Sequence, residues 1–310
     1  IRMNILDDFV DYFVIVESKY FHNGKERNLK FDINNYSKFK DKIIYIVHDE
    51  KPNGIWKIDK DDKKDVISHK KIVNAHLREN HQRNFIEKGL NKSKDDDLIL
   101  ISDVDEIPNL ESIDLRKIKN KIIMFEQNIF YYKLNRFLPD FKWFGTKVCR
   151  KKDLVNPQWL RNIKSTRYPF FRIDTFFSNS KYTNKFYVKN GGWHFSNLKN
   201  SVDIELKLKS YLHHHDYESE ELGKEKIEEL IKNNSTIYDM FNDKTSKKYG
   251  DDTRKQLEKF DINKYSKFKD KIIYIVHDEK PNGIWEFNRD DKKDMISHKK
   301  ILNAHLRENH

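Results

Sequence analysis

The sequence predicts an α/β fold with a central mixed sheet, and four segments support this prediction. Residues 10–16, 42–47 and 98–101 are short runs rich in β-branched and apolar side chains, which are typical of buried strands. Residues 65–90 show the apolar spacing of a helix, with Gly89 as a plausible stop signal. Because strands alternate with a long helix, the pattern favours the α/β class. The run at 98–101 is short enough to leave a buried helical turn open as an alternative.

The later segments continue this alternation of strands and helices. Residues 122–132 indicate one or two strands, and residues 142–149 indicate another. Residues 201–212 and 220–232 have the amphipathic spacing of helices. The glycine pair that opens GGWHFS at 191–196 permits close backbone approach beside an aromatic residue and a histidine.

Composition limits the classes of protein to consider. The 310 residues suffice for one large domain or two small ones, and 61 basic against 50 acidic residues give a net charge of +11. Such a charge favours anionic partners, although the even spread of the basic residues also fits a generally solvated surface. A single cysteine, Cys149, excludes an internal disulfide and fits a reducing compartment. The sequence has no apolar run of eighteen residues and therefore predicts no membrane span, so we expect a cytoplasmic protein.

The chain contains one long internal repeat. Residues 260–310 repeat residues 31–81 at a constant offset of 229, with seven differences. Solenoid repeats recur at short periods and share only a pattern, whereas this is one near-identical copy far along the chain. It indicates a recent duplication or an artificial join made during sequence assembly. We therefore predict a catalytic domain at 1–245, a linker at 246–259 and an appended copy at 260–310. Because the chain starts with Ile1, we also expect a fragment.

An acidic motif follows the third predicted strand directly. Asp103, Asp105 and Glu106 come after the apolar run, where open α/β sheets bind their ligands. In an extended segment Asp103 and Asp105 project to the same side, roughly 6–7 Å apart. Both can approach one hard cation, and Mg²⁺ or Mn²⁺ with a diphosphate fits this chemistry. The alternative is a solvated acidic turn that caps the next helix.

Four other residues are candidates for the same site. Glu17 ends the first strand and can accept hydrogen bonds from a nucleotide, or it can cap a turn. Arg83 can bind a donor phosphate through paired guanidinium donors, or it can be a surface arginine. His194 is either a metal ligand or a structural histidine. Trp193 can stack on a sugar or pack in the core.

Together, four stretches resemble the family 17 glycosyltransferases, the group of the β-1,4-mannosyl-glycoprotein β-1,4-N-acetylglucosaminyltransferases. Their order and spacing match the family pattern, and the resemblance covers roughly residues 1–245. The stretches are VDYFVIVES at 10–18, QRNFIEKGL at 82–90, DDLILISDVDEIP at 96–108 and GGWHFS at 191–196.

The resemblance implies a GT-A-like nucleotide-sugar-binding fold whose first strand is expected before Ile1. It implies a UDP-sugar donor, UDP-N-acetylglucosamine in the characterised branch, a divalent cation and a glycan or glycoprotein acceptor. It gives Asp103 and Asp105 the metal and diphosphate role, and by analogy with GT-A enzymes His194 completes the metal shell. A carboxylate must take the acceptor proton, and Glu106 and Glu126 are the candidates.

Two other classes of protein share parts of this pattern. In phosphatases of the haloacid dehalogenase type, Asp103 would be the nucleophile and Asp105 the acid/base. A non-enzymatic basic binder of nucleic acid would use the net positive charge, although no recognised nucleic-acid-binding motif supports it. We therefore predict no nucleic-acid partner.

Overall fold

Strands and helices alternate along the chain in the computed structural model, which describes residues 1–210, 222–237 and 256–259. The fold is α/β, as predicted. The five α-helices of the described residues are α1 (Arg2–Leu6), α2 (Lys64–Asn84), α3 (Pro157–Asn162), α4 (Ser201–Ser210) and α5 (Lys224–Lys232). The strands are β1 (Phe13–Ser18), β2 (Ile43–His48), β3 (Leu98–Ile101), β4 (Glu106–Pro108), β5 (Ile122–Phe125), β6 (Gln127–Tyr131), β7 (Arg136–Trp143), β8 (Lys147–Arg150), β9 (Lys185–Val188), β10 (Gly192–Ser196) and β11 (Glu258–Lys259).

The first two strands form a parallel pair that α2 covers. Their register runs from Phe13 opposite Ile43 to Ser18 opposite His48. A 3₁₀ turn, Phe85–Gly89, ends α2 and lies against both strands. Any side chain at Gly89 would clash with Val14 of β1, so this close approach requires glycine. The connection between the parallel strands is long, as parallel pairing requires.

The other described strands form two further sheets, with the orders β3-β8-β5-β9 and β11-β7-β6-β10-β4. β1 is hydrogen-bonded to β2, and β3 to β8, within sheets that do not merge. The described strands therefore form three sheets rather than the single central sheet of the prediction. The difference arises because strand pairing depends on contacts between residues far apart in sequence, which the local pattern does not contain.

Most predicted elements occur close to their predicted positions. The segment at 122–132 is two strands, and the predicted helices at 201–212 and 220–232 correspond to α4 and α5. The single strand predicted at 142–149 is instead the end of β7 and most of β8. A turn that contains Gly145 separates them.

The end of the predicted linker packs against the fold. Glu258 and Lys259 pair with β7, and Leu257 is buried among apolar residues of β6, α4 and α5. The copy at 260–310 lies outside the described residues. Among the helices of the described ranges, none has the length and apolar character needed to cross a bilayer.

A buried histidine joins the ends of β1, β2 and α2. The His48 side chain is buried, with Nδ1 2.9 Å from Ser18 Oγ and Nε2 2.7 Å from His81 Nδ1. Its ring packs edge-on against Phe85 at 4.4 Å. Burial, together with the nearby His81, lowers the pKa of His48 from 6.5 to about 4. The folded protein therefore favours the neutral imidazole.

We predict that His48 makes the protein less stable in mild acid. As the pH falls from 6.5 towards 4, the unfolded chain binds a proton at this position before the folded chain does. The free energy of unfolding therefore falls by up to about 3 kcal/mol in this window from this group. Replacing His48 by Asn should remove this component of the pH dependence, measured by urea unfolding at a series of pH values. His76→Asn, at an exposed position, should retain the wild-type slope; equal slopes in all three proteins would contradict the prediction.

Candidate active site

The acidic motif lies where the chain turns from β3 into β4. β4 pairs antiparallel with β10, which places Glu106 opposite His194 and Ile107 opposite Trp193. The Phe195 N–H also donates to the Asp105 carbonyl at 2.9 Å. Cross-strand partners lie on the same face of a sheet, so Glu106 and His194 share one face, while Ile107 and Trp193 share the other. The pairing of β4 with β10 therefore places the acidic motif next to His194.

A glycine makes this pairing possible. Gly192 has a φ of +124°, and a side chain there would clash with the Ile107 carbonyl and approach the start of the next segment at Asn109. Non-glycine residues rarely adopt such a φ. The second glycine of the GGWHFS stretch is therefore required by the backbone geometry.

Glu106 is fully buried, and every one of its carboxylate contacts is to a donor. The Arg161 guanidinium donates to both carboxylate oxygens, at 3.0 and 3.1 Å. Trp143 Nε1–H donates to Oε1 at 2.7 Å, and the Asp103 N–H donates to Oε2 at 3.0 Å. A buried carboxylate is tolerable only with such compensation. A side chain at Gly145 would overlap this carboxylate, so the β7–β8 turn also requires glycine.

Two arginines hold the Asp103 side chain. Arg161 donates to Oδ2 at 2.7 Å, and Arg83 donates to Oδ1 at 3.1 Å and to Glu79 at 2.9 Å. Burial of Asp103 opposes ionisation, but the charges of Arg161 and Arg83 outweigh it and keep the pKa of Asp103 below its usual value. Burial likewise disfavours the charged form of Arg161, yet Glu106 and Asp103 raise the pKa of this guanidinium. Asp103 and Arg161 therefore favour their charged forms, whereas burial raises the pKa of Glu106 although the charge of Arg161 opposes this.

The N-terminal helix also contacts the motif. The Arg2 guanidinium of α1 is half-buried and donates to the Asp103 carbonyl and to Ser102 Oγ. Asp103 is consequently fixed through both its side chain and its backbone.

Asp105 and His194 form the second half of the site. Asp105 Oδ2 lies 3.5 Å from His194 Nε2, and the imidazole stacks on Trp143 at 5.0 Å. Within the part of the chain that the structure describes, His194 Nδ1 is buried without a hydrogen-bond partner. Lys207, on α4, donates to Asn197 at 3.0 Å; burial lowers its pKa, although Asp105 and Asp103 act in the opposite direction.

One large cavity, of about 3010 Å³, includes these groups in its wall. Of the predicted site residues, Arg83, Asp103, Asp105 and His194 line it. Its volume exceeds the roughly 300–1,000 Å³ typical of small-molecule pockets. Both cationic and acidic side chains face it, so the cavity can accommodate a ligand with a negative charge beside a cation.

The other predicted site residues do not line the cavity. Glu17 is buried behind its wall, where it accepts hydrogen bonds from Arg27, Tyr45 and the N–H groups of Lys30 and Phe31 at 2.7–2.9 Å. It therefore orders a loop of which Arg27, Lys30 and Phe31 do line the cavity.

Trp193 and Glu126 also lie away from the cavity. Trp193 is buried in an apolar cluster with Ile107, on the face of β10 opposite to His194. Glu126 lies between β5 and β6, where its backbone pairs with Val188 and Gly191. Neither position offers direct contact with a ligand in the cavity.

A divalent cation fits part of the predicted donor set. Asp105 and His194 provide one carboxylate and one imidazole side by side, whereas both oxygens of Asp103 are engaged by arginines. In the described ranges no three His, Cys, Asp or Glu side chains are grouped for a metal ion. Mg²⁺ is commonly held by one or two carboxylates together with waters and substrate phosphates, and Asp105 beside a diphosphate fits that mode.

Sequence reasoning missed four residues of this site, Arg2, Trp143, Arg161 and Lys207. Their types are common on surfaces and in cores, and the contact between Arg161 and Asp103 spans 58 positions. Lys207 lies on a helix that the sequence predicts. It does not belong to the apolar face on which that prediction rests, so the pattern gives no reason to single it out.

A family model described as glycosyltransferase family 17 matches residues 1–255. The chain belongs to glycosyltransferase family 17. Membership confirms the resemblance, indicates a glycosyltransferase and implies a nucleotide-sugar donor and a glycan acceptor. No curated protein and no solved structure gives a significant match. The phosphatase and nucleic-acid alternatives gain no support from these comparisons.

We predict that Arg161→Met destabilises this family 17 protein by about 3–5 kcal/mol, because it leaves the buried Glu106 carboxylate without its cation. Urea unfolding at neutral pH measures the loss. Adding Glu106→Gln to the Arg161→Met protein should restore part of the stability, since the amide carries no charge. Arg172→Met removes an exposed ion pair with Asp174 and should cost little. Equal effects of the two arginine substitutions would contradict the assignment.

Proposed function

We propose that this family 17 chain is a metal-dependent glycosyltransferase of GT-A-like fold. In the proposal it transfers a sugar, N-acetylglucosamine, from a UDP-sugar to a hydroxyl of a glycan or glycoprotein, with inversion. The main support is the contact between Asp105 and His194 in the wall of a cavity that Arg83 and Lys207 also line. A nucleotide diphosphate needs both a hard cation and neutralising side chains.

Asp105 and His194 are the residues that would hold Mg²⁺ or Mn²⁺ in this proposal. When bound, the cation supplies Lewis-acid neutralisation of the departing diphosphate. Asp103 fixes Arg83 and Arg161 through its two oxygens, and its direct role as a metal ligand stays a prediction. The stacked Trp143 ring orients His194.

Arg83 and Lys207 would bind the diphosphate of the donor. Arg83 donates from α2 and is held by Asp103 and Glu79, so its guanidinium is already oriented. Lys207 is half-buried, and an approaching anion would favour its charged form. The loop ordered by Glu17 supplies Phe31, which stacks on Tyr36 at 4.9 Å, as a wall for the nucleotide.

The acceptor hydroxyl must lose its proton to a carboxylate. Glu106 and Glu126 stay the candidates from the sequence, and neither lines the cavity. Four N–H groups donate to the Glu106 carboxylate. These contacts favour a positioning role, in which Glu106 holds Arg161 and the Asp103 backbone in place. Proton transfer to Glu106 would require it to leave Arg161.

We predict that the full chain releases UDP from UDP-N-acetylglucosamine when Mn²⁺ is present, and that EDTA stops this release. A panel of UDP- and GDP-sugars, assayed for nucleotide release with and without a glycan acceptor, tests the donor class. Asp105→Asn and His194→Gln should each lower the rate by roughly 100-fold or more, because they remove a cation ligand.

The matched control is Asp62→Asn, which removes a carboxylate outside the cavity that is paired with Lys70. It should retain the wild-type rate. Turnover that persists in EDTA, or that survives both site substitutions, would contradict the metal role. Absence of turnover with every nucleotide sugar, in a protein that is folded by circular dichroism, would contradict the function itself.

We predict that Lys207→Met raises the KM for the donor by roughly tenfold, since a charge-assisted contact with phosphate is lost. Lys209→Met provides a control on the same helix, because Lys209 is exposed and pairs with Glu205. Steady-state kinetics over a range of donor concentrations separates the two variants. An unchanged KM for Lys207→Met would remove Lys207 from the donor site.

A further inference from the structure

A loop rich in exposed phenylalanine lies outside the cavity and has no part in the proposed sugar transfer. Residues 164–181, here named the phenylalanine loop, follow α3 and precede β9. Within eight positions, five large apolar side chains are each at least 67% exposed. They are Phe170, Phe171, Ile173, Phe176 and Phe177. Isolated exposed apolar residues are normal, but such a concentration marks an interaction surface.

The sheets hold the base of this loop firmly. Lys147, Lys185 and Tyr187 donate hydrogen bonds of 2.6–2.8 Å to backbone carbonyls of residues 163–166. Lys147 and Lys185 are both buried, and their polar heads are therefore committed to the loop. The phenylalanines consequently extend from a fixed base.

The backbone at the tip satisfies much of its own hydrogen bonding. The N–H groups of Arg172, Thr175 and Phe176 each donate to the carbonyl three residues earlier, at 3.1 Å. Thr175 is buried beneath the tip and its hydroxyl also bonds within the loop. Because apolar surroundings penalise unpaired backbone groups, this internal pairing suits a segment that leaves water.

The charge of the loop indicates the kind of surface it fits. Residues 164–181 contain four basic residues and one acidic residue. The acidic residue, Asp174, is paired with Arg172 and Lys181. The loop therefore has a net positive charge, and Lys164 and Arg167 are exposed. Phenylalanine interspersed with arginine and lysine is typical of segments that lie on anionic lipid.

We propose that the phenylalanine loop docks this protein on the surface of an anionic phospholipid bilayer. The four phenylalanine side chains enter the boundary between headgroups and acyl chains, and Lys164 and Arg167 contact the headgroup phosphates. The docking is peripheral and independent of the sugar-transfer site. It gives the protein access to acceptors displayed at a membrane surface.

Flotation of the full chain with lipid vesicles tests this proposal. The protein should float with vesicles of equimolar phosphatidylcholine and phosphatidylglycerol, bind phosphatidylcholine vesicles less, and dissociate as salt is added. Replacing Phe170, Phe171, Phe176 and Phe177 together by Ser should lower the partition coefficient by roughly tenfold or more. Because these side chains are exposed, the variant should retain the wild-type melting temperature and nucleotide-sugar turnover in solution.

The control variant replaces Val155 and Val202, exposed apolar residues outside the loop, by Ser, and it should float like the wild type. Two outcomes would overturn the proposal: no binding of the wild type to anionic vesicles, or equal binding by the serine variant. A third contradicting result combines two observations: the wild type does not bind vesicles, and it forms a dimer in analytical ultracentrifugation that the serine substitutions abolish. The loop would then join two copies of the chain. Turnover is measured separately, so failure of the docking leaves the proposed function untouched.

Discussion

The bidentate ion pair between Glu106 and Arg161 is the interaction on which the site depends. Glu106 has no exposed surface, so its charge is tolerable only beside a cation and donors that satisfy both oxygens. Arg161 lies on α3. It also donates to Asp103, so the loop after β3 is held by the same guanidinium. Arg161 thereby joins α3 to the acidic motif, which lies 55 to 58 positions earlier in the sequence. Their junction fixes the turn that brings Asp105 beside His194.

The two aspartates of the motif consequently differ in their surroundings. Asp103 is neutralised by arginines, whereas Asp105 faces the cavity beside a histidine. Because the arginines engage both oxygens of Asp103, Asp105 is the aspartate of the motif whose carboxylate is left to contact a ligand in the cavity. The same region extends to the phenylalanine loop, because Lys147 donates to the carbonyls of Arg161 and Ile163. Site and loop are thus held by one buried lysine.

Local sequence predicted the parts of the fold that local forces determine. β1, β2, β3 and α2 were predicted within a few residues, since apolar patterning defines each of them. The division into three sheets was not predicted, because pairing such as that of β3 with β8 joins segments about fifty residues apart.

The candidate site was predictable to a similar extent. Four candidates from the sequence, Asp103, Asp105, Arg83 and His194, line one cavity, while Arg161 and Lys207 had no local signal. Trp193 lies in the core because successive residues of β10 face opposite sides. The central claim is that Asp105 and His194 bind a divalent cation beside the donor diphosphate. Manganese anomalous scattering from crystals grown with UDP and Mn²⁺ tests it most directly. We predict one anomalous peak within about 2.0–2.3 Å of an Asp105 oxygen and an imidazole nitrogen of His194. A peak bound to neither residue, with UDP present in the cavity, would contradict the account.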